Sequence, residues 1–281
     1  MVFCYFLVGV VIPFKNITNT PYSFCSVCLN LPKFELNLMK INNILFLFLG
    51  CAFSYGQTEK NVDHQSLLWT RYYNLLTIND KWSVHSEFDN RIFINPVKQN
   101  LYVIRFQGRY KINDNLDAGA GFAHFSVATQ EPEITYYFNV PEYRGQQDII
   151  WKKDFGKITL IQRFQVEERF FHNTNKEGLL PGTTFYWRFR YRIHGERIFW
   201  KKENQFLKAI LSDEIMINAG ENIVENTFDQ NRIYVALQYG INKNIALEVG
   251  YLNSFQQRAS GVDYFDRDII RFTFYHKIKL K

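Results

Sequence analysis

Between residues 185 and 193, Arg188, Arg190 and Arg192 alternate with Phe185, Trp187, Phe189, Tyr191 and Ile193. A strand turns successive side chains to opposite faces, so one face here is aromatic and the other cationic. The pattern recurs. Tyr102, Ile104, Phe106, Tyr110 and Ile112 accompany Arg105, Gln107, Arg109 and Lys111, and Trp82, Val84, Phe88 and Ile92 accompany His85, Glu87, Asp89 and Arg91. About eleven such segments follow one another, and long strands with one apolar and one polar face are how a transmembrane β-barrel is written in sequence.

The segments run 65–78, 81–93, 100–112, 116–129, 137–152, 157–172, 183–199, 204–218, 230–240, 245–254 and 266–280. Most reach the ~9–11 residues that a tilted strand needs to cross a bilayer, beyond the ~5–6 typical of soluble strands. Tight polar turns (Asn79-Asp80, 113–115, 153–156, Lys201-Lys202, 242–244) alternate with longer connections at 94–99, 130–136, 173–182, 219–229 and 255–265. Short turns on the periplasmic side and long loops outside are the habit of outer-membrane barrels, which also have even strand numbers. The expectation is therefore an all-β chain forming an antiparallel transmembrane β-barrel of about 12 strands, with 10 as the alternative. A periplasmic soluble β-sandwich binding module is the competing architecture.

The chain has 281 residues, enough for one large β domain, and 17% aromatic residues, which suits strands and interfacial girdles. No stretch after residue 57 supplies the ~20 consecutive apolar residues of a spanning helix. Met39 and Lys40, the apolar run 44–53 and Ser54-Tyr55-Gly56 before Gln57 read as a secretory signal peptide (39–56) cleaved near Gly56/Gln57. Cys51 after Leu49-Gly50 offers a lipoprotein-type site as the alternative. Residues 1–38 precede a complete signal and read as an upstream extension from an early start codon, leaving 57–281 as the barrel. All four cysteines, Cys4, Cys25, Cys28 and Cys51, then fall before the mature chain. Removing Lys15, Lys33, Lys40 and Glu35 takes the net charge from +6 to +4, too diffuse for a nucleic-acid footprint.

With the polar face inward, the lumen would hold Glu87, Asp89, Arg91, Arg105, Arg109, Glu142, Arg144, Asp148, Arg163, Glu167, Arg169, Arg188, Arg190, Arg192, Glu214, Arg232 and Arg271. Arginine exceeds acid. An unpaired buried charge is costly and guanidinium forks suit carboxylates, so one reading is an ion-pair network filling the interior. The other is an anion-selective lumen or a site for a small anionic solute, with Arg188, Arg190 and Arg192 as its candidates.

Catalysis has one candidate. His124 and Ser126 share a strand face near a loop end, and Glu131 and Glu133 follow, which are the residue types of a base, a nucleophile and an orienting carboxylate. The His-x-Ser spacing resembles outer-membrane lipid A deacylases, although Val127 stands where those enzymes have Asn. Gly-x-Ser-x-Gly, His-Glu-x-x-His, P-loop and dinucleotide signatures are absent, and no metal or cofactor is expected.

Trp69, Lys81-Trp82, Glu87 and Arg91, Glu142-Tyr143-Arg144, Arg163 with Glu167 and Arg169, Arg188 to Arg192, Asp213-Glu214, Phe228-Asp229-Gln230-Asn231-Arg232 and Gly250-Tyr251 together resemble the domain of unknown function family 2490. The resemblance spans nearly the whole mature chain, with 228–232 its most specific piece. It implies an outer-membrane barrel of a Gram-negative, Bacteroidetes-type bacterium and brings no reaction with it. The expected partners are outer-membrane lipids and the barrel-assembly machinery. The expected roles are structural or passive passage of a small anion, with the lipid hydrolase as the alternative.

Overall fold

The computed structural model describes residues 60–134, 138–175 and 177–280. The upstream segment 1–38, the signal-peptide segment 39–56 with Cys51, and the cleavage point at Gly56/Gln57 lie outside the described residues. Eleven strands follow in order: β1 (Asn61–Thr77), β2 (Trp82–Phe93), β3 (Lys98–Lys111), β4 (Leu116–Val127), β5 (Val140–Phe155), β6 (Ile158–Thr174), β7 (Leu179–Lys202), β8 (Gln205–Ala219), β9 (Phe228–Gly240), β10 (Ile245–Gln257) and β11 (Asp263–Lys279). They form one closed barrel in which each strand pairs antiparallel with its sequence neighbours, and β1 and β11 pair in parallel. An odd number of up-and-down strands leaves the first and last pointing the same way, so only a parallel seam can close the sheet. Eleven therefore stands where the even-number habit gave twelve or ten. A single closed sheet also replaces the β-sandwich alternative, and closure leaves no edge unpaired.

Register fixes the barrel's dimensions. Thr77 on β1 opposes Ser83, and successive partners lead through Arg109, Gly119, Asp148, Gln165, Arg190, Met216, Gln230, Gln256 and Phe265 back to β1 at Asp63. That offset of about 14 residues over eleven strands implies a tilt of roughly 40–45° and a backbone radius of about 11 Å.

Alternation sorts the faces. On β8 and β9, Leu211, Ile215, Ile217, Ile233, Val235, Leu237 and Tyr239 are exposed on the outer wall, while Ile210, Ser212, Glu214, Tyr234, Ala236 and Gln238 are buried inside. Exposed rings run along the outer wall, with Trp82, Trp200 and Tyr239 toward the tight turns, Tyr102 and Tyr143 toward the long loops, and Phe106, Phe122, Phe164 and Phe272 between them. Three of the turns use the same device. The side-chain oxygens of Asn79, Asn113 and Asn242 accept backbone N–H bonds from residues two or three further on, at 2.8–2.9 Å.

Small residues on the inner face of β4 make room for long ones beside them. A Cβ on Gly119 would lie 2.9–3.0 Å from Asp148, Gln107 and Arg109 side-chain atoms, and one on Gly121 would lie 2.0 Å from the Phe106 carbonyl oxygen. At Gly121 the obstacle is backbone, which cannot swing aside. Gly121→Ala is expected to lower stability by about 1–3 kcal/mol, the usual cost of overpacking. A urea midpoint within error of the parent would show that β3 and β4 part without strain.

Candidate functional site

Inside the barrel, strand register sets carboxylates against arginines. Glu167 on β6 lies directly across from Arg188 on β7 and is 0% exposed. Its carboxylate accepts from Arg188 Nε at 2.8 Å and from Arg188 Nη2. It also accepts from Arg190 Nη1 at 2.6 Å, Gln165 Nε2 at 3.0 Å and Arg144 Nη1 at 3.4 Å. Arg188 Nη1 donates further to Asp229 at 2.8 Å. Glu214 takes Arg190 Nη2 at 2.9 Å and Arg163 Nη2 at 2.6 Å. Glu142 takes Arg144 through Nε and Nη2 at 2.5 and 2.7 Å, and Arg169 Nε at 2.7 Å. These charge-assisted forks join β5 to β9 into one network.

A second group lies on β1 to β3, β5 and β9 to β11. Glu87 accepts from Arg105, with Arg71 at 3.8 Å and His85 at 3.3 Å. Arg91 meets Asp89 at 2.9 Å and Arg109 meets Asp148 at 3.1 Å. Glu248 gathers Tyr234, Gln238, Tyr275 and Arg271 at 2.6–3.3 Å. Rings support several guanidiniums: Arg144 lies 3.5 Å from the Phe125 centroid, Arg91 3.7 Å from Trp69, and Arg271 3.8 Å from Tyr234.

Among the described residues, three interior arginines make no hydrogen bond or ion pair with an acid. Arg232 donates Nε to Gln230 at 2.9 Å and lies 5.4 Å from the Trp69 centroid. Arg267 is held by Gln65, Gln256 and Gln130 at 2.8–3.0 Å. Arg192 has no hydrogen-bond or ion-pair partner among the described residues. Its Nε is buried and unsatisfied, and the side chain lines the interior cavity. Arginine stays protonated in proteins, so all three carry a charge with no carboxylate bound to it among the described residues.

A cavity of about 930 Å³ runs through this interior. Its walls include Lys152, Lys208 and Lys277 at the turn end, and Gln256 and Arg258 at the loop end. Segment 128–134 leans over the loop-end mouth, where Gln130 holds Arg267 and Glu131 holds Arg258. Part of the wall is apolar, with Leu67, Trp69, Phe93, Ile210, Leu252 and Ile269 packed together.

Each of the seventeen charged residues expected in the lumen, from Glu87 to Arg271, is placed inside. Arg71, Arg258, Arg267 and Glu248, which the alternation does not single out, join them, as does Asp229 of the 228–232 piece. On β1 the inner face is Trp69, Arg71 and Tyr73 while Tyr72 points outward, so hydropathy gives little contrast between the two faces there.

The three hydrolase candidates are not brought together. His124 and Ser126 point to the outer wall, with Ala123 and Phe125 buried between and beside them. His124 packs on Tyr143, ring centroids 5.0 Å apart, and the Ser126 hydroxyl accepts from Asn139 Nδ2 at 2.9 Å. Glu131 is committed to Arg258 at the mouth, and among the described residues no carboxylate bonds to His124, whose Nδ1 is unsatisfied. Among the described residues no group of three or more His, Cys, Asp or Glu side chains is placed to hold a metal ion.

A family model described as "Protein of unknown function (DUF2490)" matches residues 67–265. No curated protein and no solved structure matches the chain.

Proposed function

The chain belongs to the DUF2490 family of proteins of unknown function, and from that premise we propose that it is an integral outer-membrane β-barrel whose arginine-rich lumen lets small anionic solutes through. The observation that carries this reading is the inversion of faces: apolar side chains cover the outer wall, and the interior holds more arginine than carboxylate. In water such a wall would be a large aggregation surface, whereas in lipid it is solvated. Along β9 the apolar outer positions from Ile233 to Ile241 span eight residues, which at the strand tilt gives a band of about 20 Å, near the ~25 Å of outer-membrane barrels.

Eleven strands fall between the ~8 that side chains fill and the ~16 that leave a wide water channel, so passage is limited to small solutes. The basic walls at the turn end and the uncompensated arginines within favour anions over cations. Lipids of the outer membrane and the assembly machinery that inserts barrels are the partners under this reading.

Purified protein in a planar bilayer under a potassium chloride gradient tests it. Discrete steps are expected, with a reversal potential displaced toward that of chloride. A cation-selective reversal potential, or silence from protein that migrates as folded barrel on unheated gels, would remove the passage reading.

A further inference from the structure

The three arginines without acidic partners are not scattered. Arg192 opposes Glu214, Glu214 opposes Arg232, Arg232 opposes Ser254, and Ser254 opposes Arg267, so all three lie on one cross-strand row over β7, β9 and β11. Because strands tilt by roughly 40–45°, such a row climbs the barrel axis by about 3 Å per strand. Successive arginines, two strands apart, therefore rise about 6–7 Å each from the turn side toward the loop side. The same row descends from Arg192 to Arg163 and on to Asp117 and Lys111 at the turn end.

Their partners share one property. Arg267 is fixed by three glutamine side chains and Arg232 by Gln230 and the face of Trp69; Arg192 has no partner. Neutral amides orient a guanidinium without cancelling its charge. Neighbouring lumen arginines, Arg163 on the same row included, are neutralised by Glu142, Glu167 or Glu214, so the neutral holding of these three is selective. Arg192 stands in register between Arg163 and Glu214, and Glu214 is already engaged by Arg190 and Arg163.

We propose that Arg192, Arg232 and Arg267 are three successive steps of a spiral binding path for a small inorganic oxyanion, phosphate or sulfate. A guanidinium fork presents paired N–H donors that match two oxygens of such an anion, which a spherical ion cannot use together. Several spaced sites, each holding the ion only until the next takes it, are what conduction requires. The path rests on the passage reading and names its cargo.

Inorganic phosphate, and separately sulfate, titrated calorimetrically into detergent-folded protein tests the path independently of current. Saturable binding is expected for the parent. At least tenfold weaker binding is expected for R192Q and R232Q, and unchanged binding for K153Q on the outer wall. Since Arg192 has no partner to orphan, R192Q is also expected to raise the urea midpoint while affinity falls; a merely structural arginine would lower it. R232Q provides the second variant should R192Q not fold. Absence of saturable binding, or equal affinity in R192Q and K153Q, overturns the path. Saturable binding that needs Arg192, found without bilayer current, keeps the site and removes passage. Anion-selective current unchanged in R192Q, R232Q and R267Q keeps passage and removes the path.

Discussion

Replacing Glu167 by alanine is expected to cost about 3–5 kcal/mol, the loss seen when one partner of a buried ion pair is removed. Glu167 is 0% exposed and is the shared acceptor for Arg188, Arg190 and Arg144. Its removal leaves three guanidiniums facing one another with only Asp229, Glu214 and Glu142 nearby, each already engaged. Glu167→Gln keeps the shape and two acceptor lone pairs while losing the charge, so a smaller loss is expected there. Urea titration in detergent, read by the shift between folded and unfolded bands on unheated gels, measures both. A loss below about 1 kcal/mol for the alanine variant would mean that water reaches these arginines and hydrates them without their partner.

Leu237→Arg is expected to cost about 2–4 kcal/mol when unfolding is followed from lipid vesicles, the depth-dependent price of a cation on the lipid face near the bilayer midplane. Leu237 is 49% exposed, midway between Ile233 and Ile241 in the apolar outer stretch, flanked across the sheet by Ala209 and Val249 on the same outer wall. Val97, 79% exposed in the connection between β2 and β3, is the control, and V97R is expected to stay within about 0.5 kcal/mol of the parent. A surface that faced water would accept both arginines equally. Equal, small effects from the two substitutions would sink the membrane assignment.

Much of the barrel can be read directly from residue order, because period-two alternation survives translation into structure. Phe185 to Ile193 become β7 with its arginines inside, and the asparagines at 79, 113 and 242 become turns. Strand number was harder. Eleven alternating stretches are visible, but the parallel seam between β1 and β11 is a pairing 202 residues apart that no local pattern announces. The division of the lumen into paired and free arginines was also hidden. Arg188, Arg190 and Arg192 look equivalent in sequence, yet Glu167 and Glu214 bind the first two, while Arg192, although it opposes Glu214 in register, has no hydrogen-bond or ion-pair partner among the described residues. Glu131 illustrates the same limit: its loop carries it to Arg258, a contact 127 residues distant, and away from His124.

The parallel seam also decides where the chain's ends emerge. In a barrel with an even number of up-and-down strands both ends of the sheet leave from the same rim. Here β1 begins beside Asp263 at the rim of the long loops, and β11 finishes beside Thr77 at the rim of the tight turns. A polypeptide joined ahead of Asn61 and one joined after Lys279 therefore lie on opposite sides of whatever the barrel spans. The odd strand gives the molecule a polarity that fusion partners inherit.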